Sequence, residues 1–269
     1  MHRLCLVVVV AAVAALSSVA PAGAITGGEP DGNGHPNVGL HYFTKLDGTF
    51  RCSNTLIAPR LVLTAAHCTE NVIGPARVTF DNPAPAFGGD PTRFITGTAY
   101  ASPLWTGKLQ NTKLNDIGMI VLDRPAAEVW PGIQPVGLAS LGLLDDLGAK
   151  GGLKKTAFTL VGYGVYFEKP ESGPQKQQAV RDRVRRVTTV GIQNITSDVI
   201  KFGENDANST FGGGSCFGDS GGPAFLDGVQ VGVTSFGGAQ FCTGMGGYQR
   251  TDNQQARDFI QGFLNTYPG

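Results

Sequence analysis

Gly218-Asp219-Ser220-Gly221-Gly222-Pro223 sets a single serine among three glycines. A serine hydroxyl is a poor nucleophile at neutral pH unless a base removes its proton, so Ser220 needs an imidazole within reach. The surrounding glycines let the backbone turn sharply and bring N–H groups close to a substrate carbonyl. The chain has four histidines, His2, His35, His41 and His67. Among them His67 stands in an apolar, small-residue setting, Leu63-Thr64-Ala65-Ala66-His67-Cys68, and His35 and His41 read as surface or strand residues. A third member is Asp116, in Asn115-Asp116-Ile117-Gly118-Met119-Ile120-Val121-Leu122, an acid opening a buried-looking strand.

Gly-Asp-Ser-Gly-Gly also fits the Gly-x-Ser-x-Gly turn of α/β-hydrolases, where the histidine follows the serine. No histidine follows Ser220, so that reading fails. The order His67, Asp116, Ser220 in these contexts resembles the trypsin/chymotrypsin family of serine proteases. The resemblance runs from Ile25 to the end of the chain. It implies an all-β fold of two six-stranded antiparallel β-barrels with a C-terminal α-helix, and an active site in the cleft between the barrels. It implies that Ser220 attacks the peptide carbonyl, that His67 carries the proton and that Asp116 orients the imidazole. The backbone N–H groups of Gly218 and Ser220 would form the oxyanion hole. Ile25, in Ile25-Thr26-Gly27-Gly28, resembles the mature N-terminus whose ammonium pairs with the acid before the serine, here Asp219.

The resemblance also implies a specificity pocket. Its base lies six residues before the serine, at Gly214, beside Ser215. Ser235-Phe236-Gly237 resembles the segment that pairs with the substrate backbone, Ser235 would also support Asp116, and Gly237 and Gly246 form the walls. No Asp or Glu occurs from Val229 to Tyr248, so a neutral pocket is expected, with cleavage after large apolar residues. Burial of such a side chain gains about 25 cal/mol per Å². The alternative is a catalytically silent binding protein on the same fold. Such proteins usually carry damage at the histidine, aspartate or serine, and all three are intact here.

Composition agrees with an exported β protein. The chain has 269 residues, 39 of them glycine and 16 proline, and 16% are charged, which suits a loop-rich β domain better than a helical bundle. Met1-His2-Arg3, the apolar run Leu4–Leu16 and the small residues Ala22-Gly23-Ala24 read as a signal peptide over residues 1–24. The apolar run is well short of the about 20 residues that span a bilayer. Removing residues 1–24 takes away Arg3 and no acid, leaving 20 basic residues against 21 acidic ones. That balance gives no reason to expect nucleic acid or an anionic membrane as partner. The expected partners are protein or peptide substrates and protein protease inhibitors; the expected state is a secreted, extracellular monomer.

Cys5 lies in the signal, leaving Cys52, Cys68, Cys216 and Cys242 for an oxidising compartment. Four cysteines allow three connectivities. Sequence proximity favours Cys52–Cys68 with Cys216–Cys242, the pairing the resemblance also implies. A zinc site is disfavoured by the lack of a close Cys pair. No calcium loop is recognisable, and neither cofactor nor metal is expected.

Short apolar runs at Val38–Phe43, Leu61–Ala66, Ala76–Phe80, Ile117–Leu122, Ala157–Gly162 and Val229–Phe236 read as strands. Asp227-Gly228 is a hairpin turn. Ala256, Phe259, Ile260, Phe263 and Leu264 keep helical spacing, with Asp252 as the expected N-cap. Residues 131–156 lack periodicity and read as the linker, dividing an N-terminal barrel at 25–135 from a C-terminal barrel with its helix at 136–269 within one peptidase domain, 25–269. Arg181, Arg183, Arg185 and Arg186 read as a solvated strand face.

Overall fold

The apolar runs pair into two closed barrels, the architecture expected from the sequence. The computed structural model describes residues 25, 28–108, 114–168, 178–204, 213–237, 242 and 244–268. The segment 1–24, read as an export signal, lies outside them. After the short β1 (Glu29–Pro30) come β2 (Val38–Lys45), β3 (Gly48–Ala58), β4 (Leu61–Thr64), β5 (Ala76–Thr79), β6 (Ile95–Ala101) and β7 (Gly118–Leu122). These six close in the order β2-β3-β4-β7-β6-β5, every pairing antiparallel. Alternate residues divide two tasks. Leu56, Val62, Val78, Ile95, Ile120 and Leu122 fill the barrel, while Leu61, Leu63, Met119 and Val121 pack outward against the C-terminal helix. Both faces of β4 and β7 are therefore buried, which is why they read as continuous apolar runs rather than alternating ones.

The second half adds β8 (Gly137–Leu138), α1 (Leu143–Ala149), β9 (Ala157–Gly162), β10 (Tyr166–Glu168), β11 (Gln178–Val180), β12 (Arg186–Ile195), β13 (Val199–Glu204), β14 (Pro223–Leu226), β15 (Val229–Phe236), β16 (Gly244–Arg250) and α2 (Gln254–Thr266). The ring runs β9-β12-β13-β16-β15-β14 and back to β9. Phe158, Leu160, Val190, Ile200, Phe202, Val231 and Tyr248 fill it. Asp227 and Gly228 turn β14 into β15 with φ of 49° and 80°, the left-handed pair a tight hairpin needs. A seam of Val38, Leu40, Val161, Tyr163 and Phe225 joins the two barrels.

Three details differ from the sequence reading. The N-cap of α2 is Asn253, whose side chain accepts the Ala256 N–H at 3.0 Å. Asp252 is instead fully buried, bonding Arg250 Nε at 2.8 Å and the Leu144 N–H of α1 at 2.8 Å. The stretch read as linker thus contains α1, anchored by a buried acid far along the chain. The arginine run is not a solvated face throughout. Arg185 is 1% exposed and reaches Asp31 (2.8 Å), the Val38 carbonyl (3.1 Å) and Tyr163 Oη (3.0 Å) at the barrel seam. Arg186, also buried, pairs with Asp182 and lies over the Tyr166 ring.

Candidate active site

His67 sits in a single 3-10 turn, Ala66–Cys68, that follows β4. The Cys52–Cys68 disulfide ties this turn to β3 with Cα atoms 6.3 Å apart. Asp116 stands just before β7, the strand that pairs with β4, so register carries the acid to the histidine. Its carboxylate holds the histidine at two points. Oδ2 lies 2.8 Å from His67 Nδ1, and Oδ1 accepts the His67 backbone N–H at 2.9 Å. Ser235 Oγ, from β15 in the other barrel, donates to Oδ2 at 2.5 Å. Asp116 is fully buried, whereas the His67 side chain is 26% exposed, so the ring's far edge is open to the cleft.

Ser220 lies on the loop between Ser215 and Gly222 and is half-buried. The loop is stitched to the first barrel through Ser53. The Ser53 N–H donates to the Ser220 carbonyl at 2.8 Å, and Ser53 Oγ donates to the Gly218 carbonyl at 3.0 Å. Gly221 is where the loop meets the histidine segment. Its φ is +80°, and a Cβ there would overlap Thr64 Oγ1 and come 3.1 Å from the Ala65 nitrogen. No residue with a side chain brings Ser220 this close to the 64–67 segment. Ser220 Oγ makes no hydrogen bond among the described residues; catalytic bonds of this kind often close only with substrate in place. Gly218 has φ +97°, and neither its N–H nor that of Ser220 finds an acceptor among the described residues. Cys216–Cys242 braces the loop's start.

Asp219 is fully enclosed. Its oxygens accept the Gly164 N–H at 2.7 Å and the Cys216 N–H at 2.8 Å. Burial pushes its pKa up to about 7, the two N–H groups oppose that shift, and the charge of Glu204 adds to it. Among the described residues no ion pair joins it to Ile25, which packs instead in the apolar interior of the second barrel with Phe158 and Leu160.

The trypsin family model matches residues 25–260. The chain belongs to the trypsin family. Brachyurin from Leptuca pugilator is 30% identical over 207 residues, covering 73% of this chain and 80% of that protein. The HL collagenase structure superposes with a TM-score of 0.62 at 21% identity, over 86% of this chain and 94% of that one. The human heparin binding protein shares the fold as well, with a TM-score of 0.58 at 22% identity over 90% and 97% of the two chains. Membership agrees with the disulfides, which are Cys52–Cys68 and Cys216–Cys242.

Against the trypsin pattern, the pocket residues divide. Phe236 lies over Gly247, where a Cβ would overlap its ring, and Ser235 is taken up by Asp116. Gly237 is exposed with nothing near its Cβ position. Gly214, Ser215 and Gly246 converge on one side chain the sequence reading missed. Glu204, at the end of β13, is 1% exposed and accepts hydrogen bonds from Ser215 Oγ at 2.8 Å and Tyr248 Oη at 2.7 Å. The stretch Val229–Tyr248 itself holds no acid, and Glu204 comes beside Gly246 from the neighbouring strand through the β13–β16 pairing, in which Phe202 faces Gly246. An acid closing an otherwise apolar strand, Val199-Ile200-Lys201-Phe202-Gly203-Glu204, was the available signal.

Proposed function

We propose that this chain is a secreted serine endopeptidase that hydrolyses protein and peptide substrates through His67, Asp116 and Ser220. The observation that carries the reading is the Asp116 carboxylate, which holds both the His67 ring and its backbone while Ser235 donates to it from the opposite barrel. With Nδ1–H held by Asp116, the neutral ring presents Nε2 as the base. Ser220 Oγ loses its proton to Nε2 as it attacks the carbonyl, and the oxyanion is received by the N–H groups of Gly218 and Ser220. The imidazolium gives that proton to the leaving amine, and water repeats the sequence on the acyl-enzyme.

Two disulfides suit an oxidising compartment, and no helix of the described residues is long and apolar enough to cross a membrane. Cleavage before Ile25 would create the ammonium that Asp219 lacks. Signal removal after Ala24 then makes the active enzyme directly, and N-terminal sequencing of the active, secreted protein should begin at Ile25. Gly214 and Gly246 carry no side chains and the stretch Val229–Tyr248 holds no acid, which supports cleavage after large apolar residues.

A serine-directed phosphonate tests the reading. Labelling of Ser220, lost in Ser220→Ala and in His67→Ala, is expected. A folded, processed protein that is neither labelled nor active on any peptide would establish the silent binding protein instead.

A further inference from the structure

Tyr42 of β2 lies between two arginines across the sheet, paired with Arg51 of β3 on one side and with Arg77 of β5 on the other. Residues paired across strands share a face, and adjacent strands are about 4.8 Å apart, so the row is about 10 Å wide. Tyr42 Oη donates to the Pro85 carbonyl at 2.9 Å, and the Arg77 guanidinium lies 4.4 Å and 5.2 Å from the ring centroids of Phe94 and Phe87. The second half of the chain adds Arg183. Its φ is +58°, held by two bonds to one loop: the Ala84 N–H donates to the Arg183 carbonyl at 2.9 Å, and Arg183 Nε donates to the Ala84 carbonyl at 3.0 Å. Arg181, two residues earlier, is exposed.

These arginines gather without a counter-charge. None of the four forms an ion pair among the described residues. Asp182, which stands between two of them in the chain, turns to Arg186 instead, at 2.8 Å and 3.0 Å. Arg51 Nη2 is buried and finds no acceptor among the described residues. Burial pushes the Arg51 pKa down, the like charges of Arg183 and Arg181 add to that, and Tyr42 and Asp219 oppose it. An anion brought to this row relieves the repulsion.

Position decides which anion. Arg51 Nε stands 3.5 Å from where a Cβ on Gly218 would lie. Arg51 also precedes Cys52, whose disulfide reaches the residue after His67. On the serine-peptidase reading His67 protonates the leaving amine, so the chain after the cut bond passes Arg51 toward Arg77 and Arg183. We propose that this arginine row is a docking surface, outside the catalytic cleft, for an acidic segment of a polypeptide substrate downstream of the bond that is cut. The proposal rests on the serine-peptidase reading and adds a partner chemistry to it. Guanidinium forks take carboxylates through two parallel bonds. An extended chain advances about 3.3 Å per residue, so acids two or three positions apart match the row.

The experiment compares kcat/KM on two long peptides, identical up to two residues past the scissile bond and then carrying either four Glu or four Gln. The Glu-tailed peptide should be cut about tenfold faster at low salt, a small gain at each rim charge compounded along the row. That preference should shrink in about 0.5 M salt. In the double variant Arg77→Gln, Arg181→Glu it should fall to about one, with hydrolysis of the Gln-tailed peptide as in the wild type. Equal rates on the two tails in the wild type, or a preference untouched in the variant, overturn the proposal. Should the double variant not fold, Arg181→Glu alone, at an exposed position, should lower the preference about threefold, and no change counts against it. Absence of all hydrolysis and of Ser220 labelling would sink the peptidase reading alone. Fluorescence anisotropy of the labelled Glu-tailed peptide then judges the surface: binding that weakens in Arg181→Glu supports it, and binding that is absent or unchanged overturns it. A sulfated oligosaccharide that binds the row, with no competition from the Glu tail, would assign the surface to polysaccharide and overturn the proposal as well.

Discussion

Asp116 does two jobs with one carboxylate, and they can be separated by substitution. Asp116→Asn keeps the volume but offers an amide where the ring N–H needs an acceptor, so it favours the wrong tautomer; we expect kcat to fall about 10⁴-fold, the loss this change causes in related triads. Ser235→Ala removes one hydrogen bond to a charged group, about 1.5–3 kcal/mol, and should lower kcat/KM roughly 10- to 100-fold with little change in KM. Ser220→Ala and His67→Ala should each abolish nearly all hydrolysis, and the double variant should be no worse than either, because the two side chains act as one unit. Steady-state kinetics on one anilide substrate checks all five variants. A Ser235→Ala enzyme with unaltered kcat would show that the cross-barrel bond is dispensable.

At the scale of elements, the end of α2 gives a stability test. Asn253 caps the helix, so Asn253→Ala should cost about 1 kcal/mol. Asp252→Asn breaks a buried carboxylate that bonds Arg250 and the start of α1, and should cost roughly 3–5 kcal/mol. Urea unfolding of the two variants checks the order; equal losses would contradict the assignment of the cap to Asn253. The pair also shows what was legible in the sequence. Both residues carry suitable oxygens at adjacent positions, and the choice depends on Arg250, which no local pattern reveals. Strands β4 and β7 were readable because their side chains are almost all apolar on both faces, and β15 because Val229, Val231 and Val233 alternate along it. β3 was not: Ser53, Asn54 and Thr55 are polar yet fully buried, Ser53 meeting the serine loop and Thr64 of β4, and Asn54 meeting His41 of β2. Motif and order exposed His67, Asp116 and Ser220, since their chemistry fixes their neighbours. Glu204 stayed hidden because its place beside Gly214 and Gly246 comes from strand register, a long-range property.

The whole molecule carries a pH-dependent cost that processing should remove. Asp219 titrates near 7 in the fold against an ordinary value of 3.8, so the folded chain holds this proton more tightly than the unfolded one. Sign follows from linkage: the unfolded state releases the proton first, and stability falls as pH rises from about 4 to about 7. Glu204, also raised to about 7, acts in the same direction. His41, buried and pushed down to about 3, acts oppositely, losing stability as pH falls below its ordinary 6.5. The raw profile of one form therefore mixes opposing terms. Comparison of two forms isolates the Asp219 site. In the chain cut before Ile25, the new ammonium pairs with Asp219 and lowers its pKa, which also changes the charge that Glu204 is coupled to, whereas His41 keeps its surroundings. The cut form should therefore gain stability over the uncut form as pH rises from about 4 to 7. It should lose that gain at alkaline pH, above the ordinary amine range of about 7.7–8.0, as the paired ammonium deprotonates. Urea unfolding of both forms at pH 4, 5.5, 7.5 and 10 measures the difference, with Asp219→Asn as the control in which it should vanish. A difference independent of pH, or one that survives in Asp219→Asn, would place the new terminus elsewhere and leave the serine loop without its counter-charge.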